Sequence, residues 1–374
     1  MGTPIQAAAE LGHSIWYDNL QRSMLTSGDL AAMISDGLRG MTSNPTIFEK
    51  AMGHSGDYDA AFAKLDPELD DISAYEQLAI EDIQGACDAF LGLYHETRGG
   101  DGFVSLEVSP RHAHDTAGTI AEAKRLHAAV ARPNVMIKVP GTPEGIPAIQ
   151  ALIAAGIHVN TTLLFSVDAY LAAANAYLSG LEIFASTGGD VSKVAGVASF
   201  FLSRIDTAID EQLGTAHREL HGKAAIANAK VAYAHFHELI AQPRWQALAK
   251  LGARPQRLLW ASTGTKNPAY DKLMYVLALV GADTVDTIPG DTYKELVARG
   301  AGVFDRSRPS TLSTDLAGAR ATLAAIGAAG ISLQHVTDKL LADGVAAFAK
   351  SFDQLLAAVA HKRHSLSQAK GGSS

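Results

Sequence analysis

Short apolar runs alternate with helix-like segments along most of this 374-residue chain. Eight runs have the composition of buried strands: residues 14–17, 40–42, 103–106, 135–137, 157–159, 194–198, 257–261 and 284–287. Segments rich in alanine and leucine, with a helical period, lie between them. Strands that alternate with helices pair in parallel through right-handed crossovers. Eight such units predict an α/β fold of the closed (β/α)8 barrel type rather than an open doubly wound sheet.

Three stretches are longer than eight minimal strand–helix units require. We expect helical insertions at about 53–102 and 213–254, and further helices at about 315–362, after the barrel closes. None of these stretches has the composition of a flexible linker. The sequence therefore predicts one domain, residues 1–374, with added helices.

Composition and charge exclude several classes of protein. Hydrophobic residues make up 47% of the chain, which is enough to form a large core. The net charge is −8, which argues against nucleic-acid binding and against a basic membrane-surface protein. We expect no membrane-spanning segment, because the longest apolar stretch, around 273–282, is too short. Cys87 is the only cysteine, so no intrachain disulfide forms, which is typical of the reducing cytoplasm. The glycine-rich motifs of nucleotide-binding loops are missing.

Polar residues stand at or just after the predicted strand ends, which share one mouth in a parallel barrel. They are Asp18, Asn44, Glu107, Lys138, Asn160, Thr162, Ser199, Ser262 and Asp286. Each alone is explained as a helix cap or loop residue; Asn44, before Pro45, has the pattern of a cap. Together, an apolar-strand lysine, acids, amides and hydroxyls at one mouth indicate a reaction centre.

Lys138 lies in the apolar run "NVMIKVPGT". Removal from water disfavours the charged ammonium and favours the neutral amine, which is a nucleophile. Such an amine adds to a ketone and gives an iminium ion, which draws electrons from the neighbouring C–C bond. Asp18 and Glu107 are the candidates for the proton transfers that these steps need. The alternatives are a buried structural ion pair and a pyridoxal phosphate lysine, although no phosphate loop supports the second.

Two further groups of residues bear on metals and anions. His112 and His114 have a spacing that can chelate zinc, but Asp115 has the position of an N-cap and no further ligands are evident, so we expect no metal. Arg204 and Lys266 each follow a strand, together with hydroxyl residues, and are candidates for binding a phosphate. Taken singly, each is equally well explained as a surface cation at a helix end.

The order of several motifs resembles the transaldolase family, in its longer bacterial form. They are "SIWYDNL", "GMTSNPTIFEKAM", "SLEVSPRHAHDT", "NVMIKVPGTPEG", "GIHVNTTLLFS", "ASFFLSRID", "LLWASTGTKNPAY" and "ADTVDTIP". The resemblance implies a (β/α)8 barrel without metal or organic cofactor. It also implies transfer of a dihydroxyacetone unit between sugar phosphates in the non-oxidative pentose phosphate pathway.

The resemblance also implies roles for individual residues. Lys138 is expected to form the Schiff base, Glu107 to act as an acid–base group through a water held by Thr162, and Asp18 to move the hydroxyl proton. The resemblance further assigns Asn44 and Asn160 to the hydroxyls of the donor, and Ser199, Arg204 and Ser262 to its phosphate. Shorter family members carry a second phosphate arginine soon after the serine, where this chain has Lys266 further along.

Three functions remain open at this stage. A transaldolase is the leading hypothesis, and a Schiff-base aldolase such as fructose 6-phosphate aldolase would share the lysine but release free dihydroxyacetone. A catalytically silent sugar-phosphate-binding barrel is the third. The sequence is compatible with a monomer or a homodimer.

Overall fold

The computed structural model describes residues 2–304 and 310–371. Eight parallel strands form a closed barrel in chain order, and the last strand pairs with the first. The strands are β1 (His13–Asp18), β2 (Gly40–Thr42), β3 (Phe103–Glu107), β4 (Val135–Pro140), β5 (Val159–Leu164), β6 (Gly196–Phe201), β7 (Arg257–Ala261) and β8 (Thr284–Ile288). The predicted (β/α)8 barrel is therefore confirmed.

Helices surround the barrel and extend beyond its basic repeat. They are α1 (Pro4–Glu10), α2 (Arg22–Ser27), α3 (Asp29–Ser35), α4 (Pro45–His54), α5 (Asp59–Phe62), α6 (Asp71–Glu96), α7 (Thr116–Val130), α8 (Gly145–Ala154), α9 (Val167–Ser186), α10 (Ser203–Leu213), α11 (Ala224–Ala241), α12 (Pro243–Lys250), α13 (Met274–Ala278), α14 (Gly290–Arg299), α15 (Leu316–Ala328) and α16 (Leu333–Gly371). The stretch 53–102 thus holds α5 and α6, and the stretch 213–254 holds α11 and α12. The C-terminal helices continue past residue 362, where we expected them to end.

Several strands extend further than the sequence predicted. The expected ranges 157–159 and 194–198 were wrong, because β5 and β6 begin later and continue through Leu164 and Phe201. Asn160, Thr162 and Ser199 therefore lie within strands rather than beyond them. The physical reason is that polar side chains facing a barrel interior can find partners across it, so polarity alone does not end a strand.

Alternation along the strands separates the barrel interior from the helix layer. In β4, the apolar side chains of Val135, Ile137 and Val139 pack among the helices, while Met136 belongs to the cluster inside the barrel. Lys138 shares the inward direction of Met136, two residues earlier. The lysine is thus surrounded by apolar residues in sequence, but its side chain points away from them and into the barrel.

A layer of large apolar side chains fills the lower part of the barrel. Its buried members include Trp16, Phe103, Met136, Val197, Leu259 and Val285. The Trp16 ring requires Gly40 on the neighbouring strand, since a Cβ there would lie 2.6 Å from Trp16 Cε2. This layer is the floor beneath the polar residues of the upper mouth.

Asp286 is placed differently from the prediction that it stands at the mouth. It lies within β8 in register with Ile15 and Trp260, and Trp260 Nε1 donates to the carbonyl of Leu279 outside the barrel. Register partners point to the same side of a sheet, so the Asp286 side chain is directed into the helix layer. The prediction failed because a one-residue difference in position reverses the face of a strand residue.

The long helix α16 crosses the top of the barrel and packs on α4, α6 and α10. Its buried residues Phe348, Phe352, Leu355 and Val359 recur at helical spacing and form one apolar stripe. In the described part of the chain, no single helix is both long and apolar enough to cross a membrane. Residues Leu316–Ala328 and Leu333–Gln368 satisfy the length and composition criteria as a pair, but they meet at an angle of 88°.

Candidate active site

The carboxyl ends of the strands open into a cavity of about 990 Å³. Predicted site residues that line it are Asp18, Asn44, Lys138, Thr162, Ser199, Arg204, Ser262 and Lys266. The other two, Glu107 and Asn160, are the register partners of Lys138 on the strands to either side. The fold therefore brings these ten residues to one mouth, whereas Asp286, also expected there, faces the helix layer.

Lys138 is held at the centre of this group with its side chain only 6% exposed. Its Nζ atom lies 3.4 Å from Glu107 Oε2 and donates a hydrogen bond of 3.2 Å to the carbonyl of Ser43. The ring of Phe348, from α16, lies 5.9 Å from Nζ. The lysine thus has one carboxylate partner, one backbone partner and an apolar cover.

Two carboxyl groups flank the lysine. Burial raises the pKa of Glu107, and the nearby Lys138 offsets part of that rise. Burial also raises the pKa of Asp18, against the effects of Lys138 and of the Thr42 hydroxyl, which donates to Asp18 at 2.7 Å. Acids with raised pKa values exchange protons nearer to neutral pH than ordinary carboxyl groups do, as proton-transfer groups require.

The two asparagines are engaged in different ways. Asn44 Oδ1 accepts from the backbone of Ile47 and caps α4, while the residue also lines the cavity. Asn160 is fully buried, donating to Ser105 Oγ at 3.0 Å and accepting from Ser199 Oγ at 2.7 Å. In this arrangement Asn160 positions Ser199, which lines the cavity. A direct contact between Asn160 and substrate stays a prediction.

Two polar atoms near the lysine have hydrogen-bonding capacity to spare. Thr162 Oγ1 is buried and makes no hydrogen bond to another described residue, and the buried Glu107 Oε2 has only its ion pair with Lys138. Buried polar atoms seldom lack partners, so such atoms at a cavity mark positions where bound groups are received. Both atoms can therefore hydrogen-bond to groups attached at Lys138.

One corner of the cavity is positively charged, which suits the predicted binding of an anion there. Arg204 lies in the first turn of α10, and within residues 2–304 and 310–371 its guanidinium has no acidic partner; it rests 5.6 Å from the Phe201 ring centroid. Burial lowers its pKa. No side chain caps the first turn of α10, so the positive end of the helix dipole adds to the positive potential of this corner. Lys266 lines the same cavity.

Ser262, which has a strained backbone conformation, links the two loops that form this corner. Its φ angle is +57°, a left-handed conformation that non-glycine residues rarely adopt. The Ser262 carbonyl accepts from the backbone of Ser203 at 3.1 Å, and the two hydroxyls lie 2.8 Å apart. The loop after β7 is thus fixed directly onto the start of α10, next to Arg204.

Comparison with known proteins agrees with this geometry. The sequence model of the family described as transaldolase/fructose-6-phosphate aldolase matches residues 15–359. The chain belongs to this family. A transaldolase of Trichodesmium erythraeum is 45% identical over 94% of this chain and 95% of its own length. Transaldolases of Thiobacillus denitrificans and Saccharopolyspora erythraea are 46% and 45% identical, each covering at least 94% of this chain and 98% of its own.

Membership of the transaldolase/fructose-6-phosphate aldolase family confirms the resemblance inferred from the motifs. The helix-cap interpretation of Asp115 is confirmed separately, since Asp115 Oδ1 accepts from Gly118 N at 3.0 Å. His114 pairs with Glu144 at 3.2 Å rather than with His112. No group of three potential metal ligands occurs among the described residues.

The sequence did not single out several residues that shape this family member's site. Thr42 and Ser43 directly precede Asn44, and this proximity to a predicted site residue could have identified them. Lys50 lines the cavity from α4 and lies within the motif "GMTSNPTIFEKAM". No sequence pattern indicated that Phe348 belongs to the site, because it reaches Lys138 from a helix more than 200 positions away in sequence.

Proposed function

We propose that the protein is a transaldolase in which Lys138 forms a Schiff base with the donor ketose. The observation that carries this proposal is the position of Lys138 between two carboxyl groups of raised pKa, inside a cavity with a separate anion-binding corner. The donors would be sedoheptulose 7-phosphate or fructose 6-phosphate. The acceptors would be glyceraldehyde 3-phosphate or erythrose 4-phosphate.

Schiff-base formation needs a neutral amine and a proton source. Glu107 lies 3.4 Å from Lys138 Nζ and can take the proton that the amine must lose. The amine adds to the donor's carbonyl carbon, giving a carbinolamine. A proton returned from Glu107 to the carbinolamine hydroxyl lets water leave, and the iminium ion remains.

Bond cleavage follows from the electron demand of the iminium. Asp18 takes the proton of the hydroxyl two carbons from the iminium carbon. The bond between the carbon that bears this hydroxyl and the carbon next to the iminium breaks. Its electron pair moves to form an enamine on Lys138, and the hydroxyl-bearing carbon leaves as the aldehyde of the aldose phosphate. Addition to the acceptor aldehyde reverses these steps, with Asp18 returning the proton. Thr42 holds Asp18 at 2.7 Å and is itself 2.6 Å from Thr287 Oγ1, so the carboxylate is oriented for this transfer.

The anion corner explains selection for sugar phosphates. Arg204, the open end of α10 and Lys266 can hold the terminal phosphate while the carbonyl reaches Lys138 on the other side of the cavity. Arginine suits a phosphate because its planar fork donates two parallel hydrogen bonds. Binding at a distance from the reacting bond helps to position it.

The fate of the enamine distinguishes this proposal from an aldolase. A transaldolase keeps the three-carbon unit until an acceptor arrives, whereas an aldolase releases dihydroxyacetone. Phe348 covers Lys138 and is 7% exposed, which favours retention because water has restricted access.

The test is to incubate the purified protein with fructose 6-phosphate, with and without erythrose 4-phosphate. We expect sedoheptulose 7-phosphate only when the acceptor is present, with little free dihydroxyacetone in either case. Rapid release of dihydroxyacetone without acceptor would favour the aldolase, and no turnover of either kind would contradict both. We further propose a cytoplasmic location, which the single, buried Cys87 supports.

A further inference from the structure

A second polar cavity lies at the opposite end of the barrel. It has a volume of about 760 Å³ and lies among residues at or before strand starts, including Ser14, Phe103, Gly196 and Arg257. The apolar layer inside the barrel separates it from Lys138. A ligand bound there would therefore not contact the groups of the proposed transfer reaction.

Arginines dominate the charge of this lower cavity. Arg39, Arg254 and Arg257 line it, together with the acids Asp101 and Asp283. Asp283 is exposed to solvent, whereas Asp101 is buried. This excess of positive charge occurs in a protein whose net charge is −8.

Asp101 and Arg257 satisfy each other. Asp101 Oδ1 accepts from Arg257 Nη2 at 3.0 Å, and Oδ2 accepts from Ser14 Oγ at 2.8 Å. Arg257 also donates to Ser14 Oγ at 3.0 Å and to the carbonyl of Gly100 at 2.8 Å. The Asp101–Arg257 ion pair therefore forms one side of the cavity. Asp101 is occupied by this pair, so among the described residues neither Arg39 nor Arg254 has a carboxylate within hydrogen-bond distance.

Arg39 and Arg254 retain free donors. The nearest carboxylate to Arg39 is Asp101, at 4.0 Å, and within the described residues its guanidinium makes no hydrogen bond. Arg254 donates from Nη2 to the carbonyl of Arg98, but its buried Nε has no acceptor among those residues. A buried donor without an acceptor is costly, and a ligand that supplies one removes that cost.

We propose that this lower cavity binds a small phosphorylated metabolite, with its phosphate held by Arg39 and Arg254. The guanidinium fork matches the geometry of a phosphate group. Phe103, Met136 and Val197 line the cavity and provide apolar surface for the rest of the molecule.

The test uses inorganic phosphate as the probe and isothermal titration calorimetry as the readout. The parent protein is the Arg204→Ala/Lys266→Ala double variant, which lacks the cations of the upper anion corner. Arg39→Gln and Arg254→Gln are each added to this parent. Arg132→Gln is the matched control, because Arg132 pairs with Asp88 at 2.6 Å on the surface, away from both cavities.

We expect the parent and the Arg132→Gln control to bind one phosphate per chain with equal affinity. Arg39→Gln and Arg254→Gln should each weaken that binding by about tenfold or more, as expected for loss of a charge-assisted contact. Melting temperatures without phosphate verify folding, and Arg39→Gln decides the matter if Arg254→Gln is unstable. The proposal is overturned if the parent binds no phosphate, or if the lower-cavity variants bind it as well as the control.

Discussion

Asp286 is a buried carboxylic acid with no role in the proposed chemistry. Neither of its oxygens has a well-aligned hydrogen bond to another described residue; the nearby Thr263 hydroxyl donates to the carbonyl of Thr287 and only slightly offsets the effect of burial on Asp286. Burial raises its pKa to about 8. The residue is therefore protonated in the folded protein at pH values where the unfolded chain carries it ionised.

This difference makes stability depend on pH. Between about pH 4 and pH 8 the folded state holds a proton that the unfolded state has lost, so ionisation of Asp286 lowers the free energy of unfolding as pH rises. Asp286→Asn removes the titration and should be more stable than the native protein at pH 8, by about 2–4 kcal/mol. Buried His13 titrates in both proteins and cancels in the comparison.

Urea unfolding at pH 5 and pH 8 measures the effect. The advantage of Asp286→Asn should grow between these two values. A stability difference that is the same at both would show that Asp286 is not kept protonated by the fold.

Arg204 and Lys266 are predicted to differ in their contribution to phosphate binding. Arg204→Ala should lower kcat/KM for fructose 6-phosphate by about ten- to a hundredfold, because a charge-assisted hydrogen bond is lost. Lys266→Ala should have a smaller effect, since its exposed ammonium holds phosphate less rigidly. Neither change should much affect a slow reaction with unphosphorylated dihydroxyacetone as donor. Steady-state kinetics on both donors tests this, and equal losses on the two would contradict the phosphate assignment.

The strands illustrate what the sequence predicts well and what it does not. Apolar runs located all eight strands, because strand interiors require β-forming apolar residues on the face that meets the helices. Their ends were less predictable, since Asn160 and Ser199 are polar yet lie inside strands, where they hydrogen-bond to each other. Asp286 was misplaced for a related reason: the side of the sheet to which its side chain points depends on strand register and not on composition.

The helix α16 supplies the cover of the proposed Schiff base. Phe348→Ala should raise the ratio of dihydroxyacetone released to dihydroxyacetone transferred by severalfold, because water gains access to the intermediate on Lys138. The measurement compares free dihydroxyacetone with sedoheptulose 7-phosphate at saturating acceptor.

Phe352→Ala is the matched control for this change. It lies one turn along α16, is similarly buried, and contacts Tyr75 and Arg111 rather than Lys138. It should lower stability to a similar extent without changing the product ratio. If both variants shift the ratio alike, general loosening of α16 would explain the effect and the specific role of Phe348 would be lost.

The assembled molecule contains features that no local pattern could indicate. The cover of Lys138 by Phe348 and the lower cavity around Arg39 and Arg254 each join residues far apart in the chain. The mouth itself was predictable, because the topology of a parallel barrel places all strand ends together regardless of loop length. Contacts that depend on the packing of the inserted helices could not be predicted in this way.

The whole reaction is predicted to need no metal ion. In the proposed reaction Lys138 provides the electron sink, and Glu107 and Asp18 provide the proton transfers. The described residues around His112 are engaged in a helix start and in ion pairs. Activity should be fully retained after exhaustive treatment with a chelator, followed by assay in metal-free buffer. Loss of activity that only zinc restores would replace the Schiff-base account with a metal-dependent one.

Covalent trapping on Lys138 tests the central claim most directly. Borohydride reduces an iminium to a stable secondary amine, so treatment during turnover of fructose 6-phosphate should inactivate the protein and add a three-carbon unit to the peptide containing Lys138. The Lys138→Ala variant should show neither the adduct nor transfer activity. An adduct on a different lysine, such as Lys50 or Lys266, or near-normal turnover by Lys138→Ala, would contradict the account.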